Sequence, residues 1–348
     1  MKIKNVIEYL FHPKMLIWRL RYIRKSAFEI AALKTMKYDY NRFLKFAGVF
    51  HPNTKSNLEA RIIHTYHGIE KGLTMPKRRY NFGHNNILSL VKLIEEFIAT
   101  YGTPQGQVEH GIGILKAYLD MHKDFDGKSD EKFWKSIHTL TDRFPDIKTA
   151  EQPHKTYSEF YKDVDSNFEK FAKSRHTLRH YGGSVSEDEI KQAVTLAMTA
   201  PSACNRQPVR VHCVCEKTLK DKVLELQSGN RGFGKDADKV LIVTGDLSSV
   251  CWVDERYDVY TNCGIFIMNL CYSLFYYKIA HCVLNWSICV DSEKDALLHK
   301  IVGIPDNEVV AALISCGKTP QEFDVAESPR KNVEEILSYH RYFYTEKK

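Results

Sequence analysis

The chain has 348 residues, 43% of them apolar and 27% charged, a globular composition that excludes a fibrous or largely disordered polypeptide. Its formal net charge of +7 is unevenly placed: residues 1–48 hold eleven Lys and Arg against three Asp and Glu, and the remainder is close to neutral. That pattern excludes a general nucleic-acid binder and points to one local anionic contact.

Near the N-terminus, VIEYLF is too short for the apolar core of a secretory signal, and Glu8, His12 and Lys14 interrupt it. Residues 14–48 predict one or two basic helices with Trp18, Leu20, Ile23, Phe28 and Ile30 at apolar positions. Lys14, Arg19, Arg21, Arg24 and Lys25 lie among them. The mixture suits a helix on an anionic membrane surface, or one packed on a neighbouring helix. Residues 64–71 (HTYHGIEK) place His64, His67 and Glu70 at i, i+3 and i+6, roughly along one helix face. A metal would want i, i+4 spacing and a second cluster, so no metal is expected. Residues 85–101 carry apolar side chains at helical spacing until Gly102 and Pro104, and 108–123 and 130–142 repeat the pattern. Residues 143–155 hold two prolines and no period. A boundary falls there, after a mostly helical region over 1–150.

The texture then changes. A helix is expected over about 156–174, and Ser186 with Glu189 forms a capping box that opens another through Met198. VRVHCVC (209–215), KVLIVTG (239–245), HCVLNWSI (281–288) and VVAALIS (309–315) predict strands. Helices are expected over 254–278, 292–302 and 332–338. The longest apolar run, 263–277, is shorter than the roughly 20 residues of a membrane span and predicts a buried helix. The fold class is α+β. All nine cysteines lie in this half: Cys204, Cys213, Cys215, Cys251, Cys263, Cys271, Cys282, Cys289 and Cys316. An odd count without CxxC excludes a disulfide framework or zinc knuckle and predicts buried, reduced thiols.

Four segments carry chemistry. RHTLRHY (175–181) sets Arg175, His176 and Arg179 within five residues at a helix end. These are the planar donors that phosphate recognition uses; a solvated basic face is the alternative. APSACNRQPV (200–209) fixes a short loop with Pro201 and Pro208 and offers Ser202, Asn205 and Gln207 between them. They could read the edge of a heterocycle or cap the preceding helix. GNRGFGKDADKVLIV (229–243) sets Asn230 on a glycine-flanked loop before a strand. The glycines of a dinucleotide fingerprint follow a strand and open a helix, so a Rossmann site is excluded. Pro329-Arg330-Lys331 puts two cations where a helix dipole prefers an anion. A bound phosphate would account for them, as would an exposed basic turn.

In this order, RHTLRHY, APSACNRQP, Asn230, the long helix, the strand near Asn285 and Trp286, Gly317 and Pro329-Arg330 resemble the nitroreductase family of FMN flavoproteins, over about residues 165–340. The resemblance implies a nitroreductase-like mixed sheet flanked by helices, in an FMN-binding domain at 160–345. It implies that Arg175 and Arg330 hold the FMN phosphate with His176 and Thr177 beside it. Arg179 would sit near N1 and O2 of the ring, Asn230 at the pyrimidine edge, and the backbone at Asn285 and Trp286 near N5, with Gly317 also at the cofactor. Pro201, Ser202, Ala203 and Asn205 would reach the flavin of a partner subunit, because family members are homodimers. Val209 stands where Trp is usual, and Phe233 where some members carry a Lys near the ring. Arg179 is thereby left with more of the electrostatic task.

The resemblance further implies NAD(P)H as reductant. Hydride would pass through flavin N5 to a small organic acceptor, nitroaromatic or quinone-like, with no side-chain nucleophile or base. Tyr66, Lys71, Arg78, Arg79 and Gly83 are candidates to cover the flavin entrance. The expected protein is cytoplasmic, binds no nucleic acid and touches an anionic membrane through residues 1–48. Two other classes stay open: a non-catalytic flavin-binding dimer whose helical region recruits a partner or membrane surface, and a helical metalloenzyme using His64, His67 and Glu70.

Overall fold

The computed structural model describes residues 13–52, 54–127, 130–287 and 293–340, with side chains from residue 26 onward. Helix α1 (Pro13–Phe46) is a single long helix. Its Asp39 accepts Nε (2.6 Å) and Nη2 (2.9 Å) of Arg256, and Phe28 lies 6.4 Å from the Trp252 ring. Ile30, Leu33 and Phe43 along the same helix are more than half exposed. The side chains of the basic stretch with Trp18 lie outside the described residues.

Helices α2 (Lys55–Leu73), α3 (His84–Tyr101), α4 (Gln107–Met121) and α5 (Glu131–Thr141) form a layer with its own core. Leu58, Ile62, Tyr66, Ile69 and Leu73 recur every three or four residues and bury one stripe of α2. Ile87, Leu90, Ile94 and Phe97 do the same on α3. The stripes meet Leu115 and Tyr118 of α4 and Phe133 and Ile137 of α5. Thr54 caps α2 by accepting from the Asn57 N–H (3.3 Å), and Asp130 caps α5 through the Phe133 N–H (3.1 Å).

The sequence predicts one helix over 156–174, but the chain forms two short ones, α6 (Tyr157–Phe160) and α7 (Phe168–Ser174). Asn167 stops a continuous helix because its side chain accepts from the Lys170 N–H (3.1 Å) and starts α7 afresh. A short strand, β1 (His154–Thr156), pairs with β6 (Glu322–Asp324).

Strands β2 (Val209–Val214), β3 (Lys239–Asp246), β4 (Ile279–Asn285) and β5 (Glu308–Lys318) make the main sheet, in the order β2-β3-β5-β4. The α+β class holds. The resemblance implied a mixed sheet, whereas these strands pair antiparallel throughout. Helix α9 (Lys217–Leu226) reverses the chain between β2 and β3, and α11 (Lys294–Val302) reverses it between β4 and β5.

Helices α8 (Glu187–Ala197) and α10 (Asp258–Tyr276) cover one face of the sheet, α9 and α11 the other. Alternation along β3 serves both: Leu241 and Val243 face α8 and α10, Val240 and Ile242 face α9 and α11. Gly245 lets α10 lie directly on β3, since a Cβ there would sit 2.2 Å from Val259 Cγ1. The capping box of Ser186 and Glu189 forms as read.

The helix expected over 332–338 is one 3-10 turn, Val333–Glu335. Val333, Ile336 and Leu337 are exposed there, so no packing supports a longer helix. Cys263, Cys271, Cys282 and Cys316 are buried, but Cys204, Cys213, Cys215 and Cys251 are exposed, so the expected burial of thiols holds for only half of these. Cys289 and the end of the strand expected over 281–288 lie outside the described residues. Among the described residues no helix is long and apolar enough to cross a membrane.

Candidate functional site

Residues 175–183 leave α7 and run beside the sheet. Arg175, the residue after the helix, is already extended. The Leu178 N–H bonds to the His281 carbonyl (3.0 Å) and the Gly182 N–H to the Lys318 carbonyl (2.7 Å). From Arg175 to Arg179 the chain therefore spans at most about 14 Å.

At the Arg175 end, three cations act electrostatically on one imidazole. His176 Nδ1–H donates to the Ser174 carbonyl (2.9 Å), which leaves Nε2 for another partner. Burial holds the His176 pKa below its ordinary value; the Ser174 carbonyl opposes this, and Lys155, Arg175 and Arg330 press it down further. Arg175 and Arg330, 155 residues apart in the chain, thus lie within electrostatic reach of the same imidazole. Lys155, on β1, joins them; only its position in a strand too short to read from sequence puts it there. Arg330 donates to its own turn at the Ser328 carbonyl (2.6 Å). Behind these groups His281 is fully enclosed, its Nε2 unpartnered and its pKa lowered to about 4, chiefly by burial.

At the Arg179 end a second cluster forms. The Arg179 guanidinium lies 5.9 Å from the centre of the buried Phe233 ring, and its Nε is buried without a hydrogen-bond partner. Lys71, from α2, lies at the same 5.9 Å from that ring and donates to the Gly229 carbonyl (3.1 Å). Burial lowers the Lys71 pKa, and Arg179 and Arg231 lower it further, against an opposing contribution from Cys282. Among the described residues neither Lys71 nor Arg179 forms an ion pair.

Asn230 stands in this loop, but its amide faces inward. Nδ2 donates to the carbonyls of Leu224 (2.7 Å) and Gln227 (2.5 Å), so Oδ1 is the side-chain atom left for a ligand. Gln227, which the sequence did not single out, donates to the Asn285 carbonyl (3.0 Å) and ties the loop to the end of β4. Trp286 is anchored by its Nε1–H to Asp295 (2.7 Å). A cavity of about 560 Å³ opens between Gln227, Asn230, Phe233, Lys77 and Lys294. Gly317 allows close approach to Tyr181, whose Cβ would be 3.1 Å from a Cβ at that position.

The 201–207 loop lies elsewhere, against α10. The Ala203 N–H bonds to Asn262 Oδ1 (3.1 Å), the Gln207 N–H to Ser202 Oγ (3.0 Å), and Arg206 to Glu255 (2.7 Å) and the Ser249 carbonyl (2.9 Å). Cys204, Asn205 and Gln207 all take left-handed φ angles, near 51°, 55° and 50°. Three such residues in four positions store backbone strain, which the Arg206 anchor holds in place. A cavity of about 330 Å³ beside the loop is walled by Pro201, Ser202, Phe266 and by Val209, the residue in place of the family's usual Trp.

Glu70 is buried at 1% exposure between His110 (3.3 Å), Ser328 N–H (3.0 Å) and Ser328 Oγ (3.2 Å), with His67 3.8 Å away. Burial would raise its pKa, but the bonds from His110, His67 and Ser328 carry it well below the carboxylate range. His64 is exposed. Among the described residues no group of three or more His, Cys, Asp or Glu is placed to hold a metal. Arg78 pairs with Asp324, and His180 Nε2 donates to the Thr74 carbonyl (2.7 Å). The helical layer is thus bonded to the sheet layer along the rim of this site.

Residues 172–231 match the Nitroreductase family. YdgI of Bacillus subtilis (strain 168), named as a candidate NAD(P)H nitroreductase, is 29% identical over 94 residues, 26% of this chain. The matched part spans 45% of that relative's length. Two solved structures are similar at lower identity. A nitroreductase family protein of Streptococcus pneumoniae TIGR4 is 19% identical, covering 50% of this chain and 100% of its own, at a TM-score of 0.43. An FMN-dependent nitroreductase of Clostridium difficile R20291 is 15% identical, covering 49% and 98%, at 0.41. The family match begins just before RHTLRHY and ends just after Asn230, so the part of this chain that carries Arg175, Arg179, the strained loop and Asn230 resembles the nitroreductase family, and Lys71, Lys155, Phe233 and Arg330 lie outside the matched residues.

Proposed function

We propose that the chain is an FMN-dependent, NAD(P)H-linked oxidoreductase of nitroreductase type, a helical region at 1–150 joined to a flavin-binding domain at 160–345. One observation carries this: Lys155, Arg175 and Arg330 all act electrostatically on His176, and Arg179 waits with a buried, unpartnered Nε at most about 14 Å along the chain. The residues present fit the group. Arg175 and Arg330, with Lys155, His176 and Thr177 beside them, would hold the phosphate. Arg179 would sit at the polar edge of the ring, where negative charge develops on reduction. Asn230 would meet the pyrimidine edge through Oδ1 while its amide holds the 229–233 loop. Gly317 and the backbone at Asn285 and Trp286 would complete the walls.

When bound, FMN supplies two-electron hydride chemistry between a reduced nicotinamide and a small organic acceptor, such as a nitroaromatic or a quinone. The chain's own task is binding, orientation and charge; no side-chain nucleophile is called on. Pro201, Ser202, Ala203 and Asn205 would reach the flavin of a second copy in a homodimer. The exposed Tyr260, Ile265 and Met268 of α10, beside that loop, support this. Contact of residues 1–48 with an anionic membrane is a second element, supported by the exposed apolar residues of α1; co-sedimentation with anionic vesicles at low salt tests it.

Purified protein should carry noncovalent FMN that heat releases, and should oxidise NAD(P)H when a quinone is supplied. Protein that neither contains flavin nor binds added FMN refutes the reading. FMN binding without NAD(P)H oxidation favours the non-catalytic dimer. Light scattering should give a dimer, and a monomer with full flavin occupancy would remove the contribution of the second copy.

A further inference from the structure

Helix α2 lies outside the residues that resemble the family, yet two of its successive residues touch both ends of the proposed cofactor site. Glu70 reaches the phosphate end. It accepts the Ser328 N–H (3.0 Å) and stands 3.2 Å from Ser328 Oγ, and Ser328 itself takes a left-handed φ of 46°. A non-glycine residue holds that conformation only where its surroundings impose it. Gln107, of α4, takes the next carbonyl, at Pro329 (3.2 Å). The turn that presents Arg330 is therefore shaped by the helical layer.

Lys71 reaches the ring end. Its Nζ is fixed on the Gly229 carbonyl (3.1 Å) and shares the Phe233 ring with Arg179, each 5.9 Å from the centre. Two half-buried cations share a place, and among the described residues neither has a carboxylate partner. Like charges so placed call for an anion between them. Three and four residues beyond Lys71, the Thr74 carbonyl accepts from His180 and Met75 packs on Gly232. The layer touches the site through Glu70, Lys71, Thr74 and Met75.

We propose that α2 is a working wall of the flavin site, in which Lys71 shares with Arg179 the stabilisation of negative charge on the reduced ring and Glu70 is the positioning residue for Arg330. The inference rests on the FMN reading above. It gives the helical region a task in the chemistry, and it supplies from outside the resembling residues the lysine that Phe233 displaces.

The test uses the full chain with FMN bound. Lys71→Met should weaken binding of the reduced flavin about tenfold more than that of the oxidised flavin. This is a fall of about 30 mV in midpoint potential for the two-electron couple. Lys71→Arg should restore the potential. Glu70→Gln should weaken FMN binding at least threefold and leave riboflavin, which has no phosphate, unchanged. If Lys71→Met does not fold, Lys71→Gln, neutral but able to keep the Gly229 bond, carries the measurement. A flavin-loaded Lys71 variant with an unaltered potential overturns the role of Lys71. Equal losses for FMN and riboflavin in Glu70→Gln overturn that of Glu70. Unmodified protein that binds no flavin removes the underlying reading instead, so the two failures are distinguishable.

Discussion

Replacing Arg175 with Met tests the phosphate end most directly. Met keeps the apolar length of the side chain and removes the guanidinium. A charge-assisted hydrogen bond to an anion is worth about 1.5–3 kcal/mol. Lys155 and Arg330, which act on the same imidazole as Arg175, remain and would take up part of the load. A loss of about 2 kcal/mol follows, which is roughly thirtyfold in Kd. The assay is titration of flavin-free protein with FMN and, separately, with riboflavin. FMN should lose its thirtyfold and riboflavin should lose almost nothing. In flavin-free protein the His176 pKa should also rise, because one of the cations that depress it is gone; proton NMR of the imidazole reads this. An FMN loss below threefold, or an equal loss for riboflavin, would refute the placement of the phosphate at Arg175.

Two further outcomes concern stability. Glu70→Gln should cost about 2–4 kcal/mol at pH 7, since bonds to a buried carboxylate are replaced by an amide facing donors. The folded pKa of Glu70 lies below its unfolded value of about 4.3, so its contribution is full above that pH and is lost as pH falls through the folded value. The gap between urea melts of the two proteins should therefore begin to narrow below about pH 4 and close only once pH has fallen through the folded value, and a gap independent of pH would show that the carboxylate charge is not what holds Ser328. Gln207→Gly should raise stability by about 0.5–1 kcal/mol, because glycine takes φ near 50° without strain; a lowered melting temperature would mean that the loop is unstrained.

Much of the fold was legible because local chemistry decided it. The Ser186–Glu189 box, the strand alternation around Val240–Val243 and the stripes of α3 and α5 need only neighbours in sequence. That Arg175 and Arg330 bear on one imidazole could be expected only through an ordered set of motifs. What was missed depends on partners far away. β1 is three residues long and exists because β6 pairs with it. Asn230 turns inward because the end of α9 offers it the Leu224 and Gln227 carbonyls. The run Asp165-Ser166-Asn167 was a visible signal for the break before α7, since each residue favours a cap over a helix interior. Lys71 was legible only as one of several residues that could cover the flavin entrance, because its partner Gly229 lies 158 residues along the chain.

The adjacency of Glu70 and Lys71 also governs which changes of chain length the protein tolerates. An α-helix turns about 100° per residue, so the two side chains leave α2 in directions about a quarter-turn apart. Ile62, Tyr66, Ile69 and Leu73 lock that angle to the helical core. Deleting one residue between Ile62 and Ile69 would put the apolar stripe and the Glu70–Lys71 pair out of phase, so that no rotation of the helix could satisfy both. A residue added between Pro76 and Phe82, past the end of the helix, would be absorbed by the loop. Sequences descended from a common ancestor with this one should therefore vary in length freely after α2 and hardly at all within its last three turns.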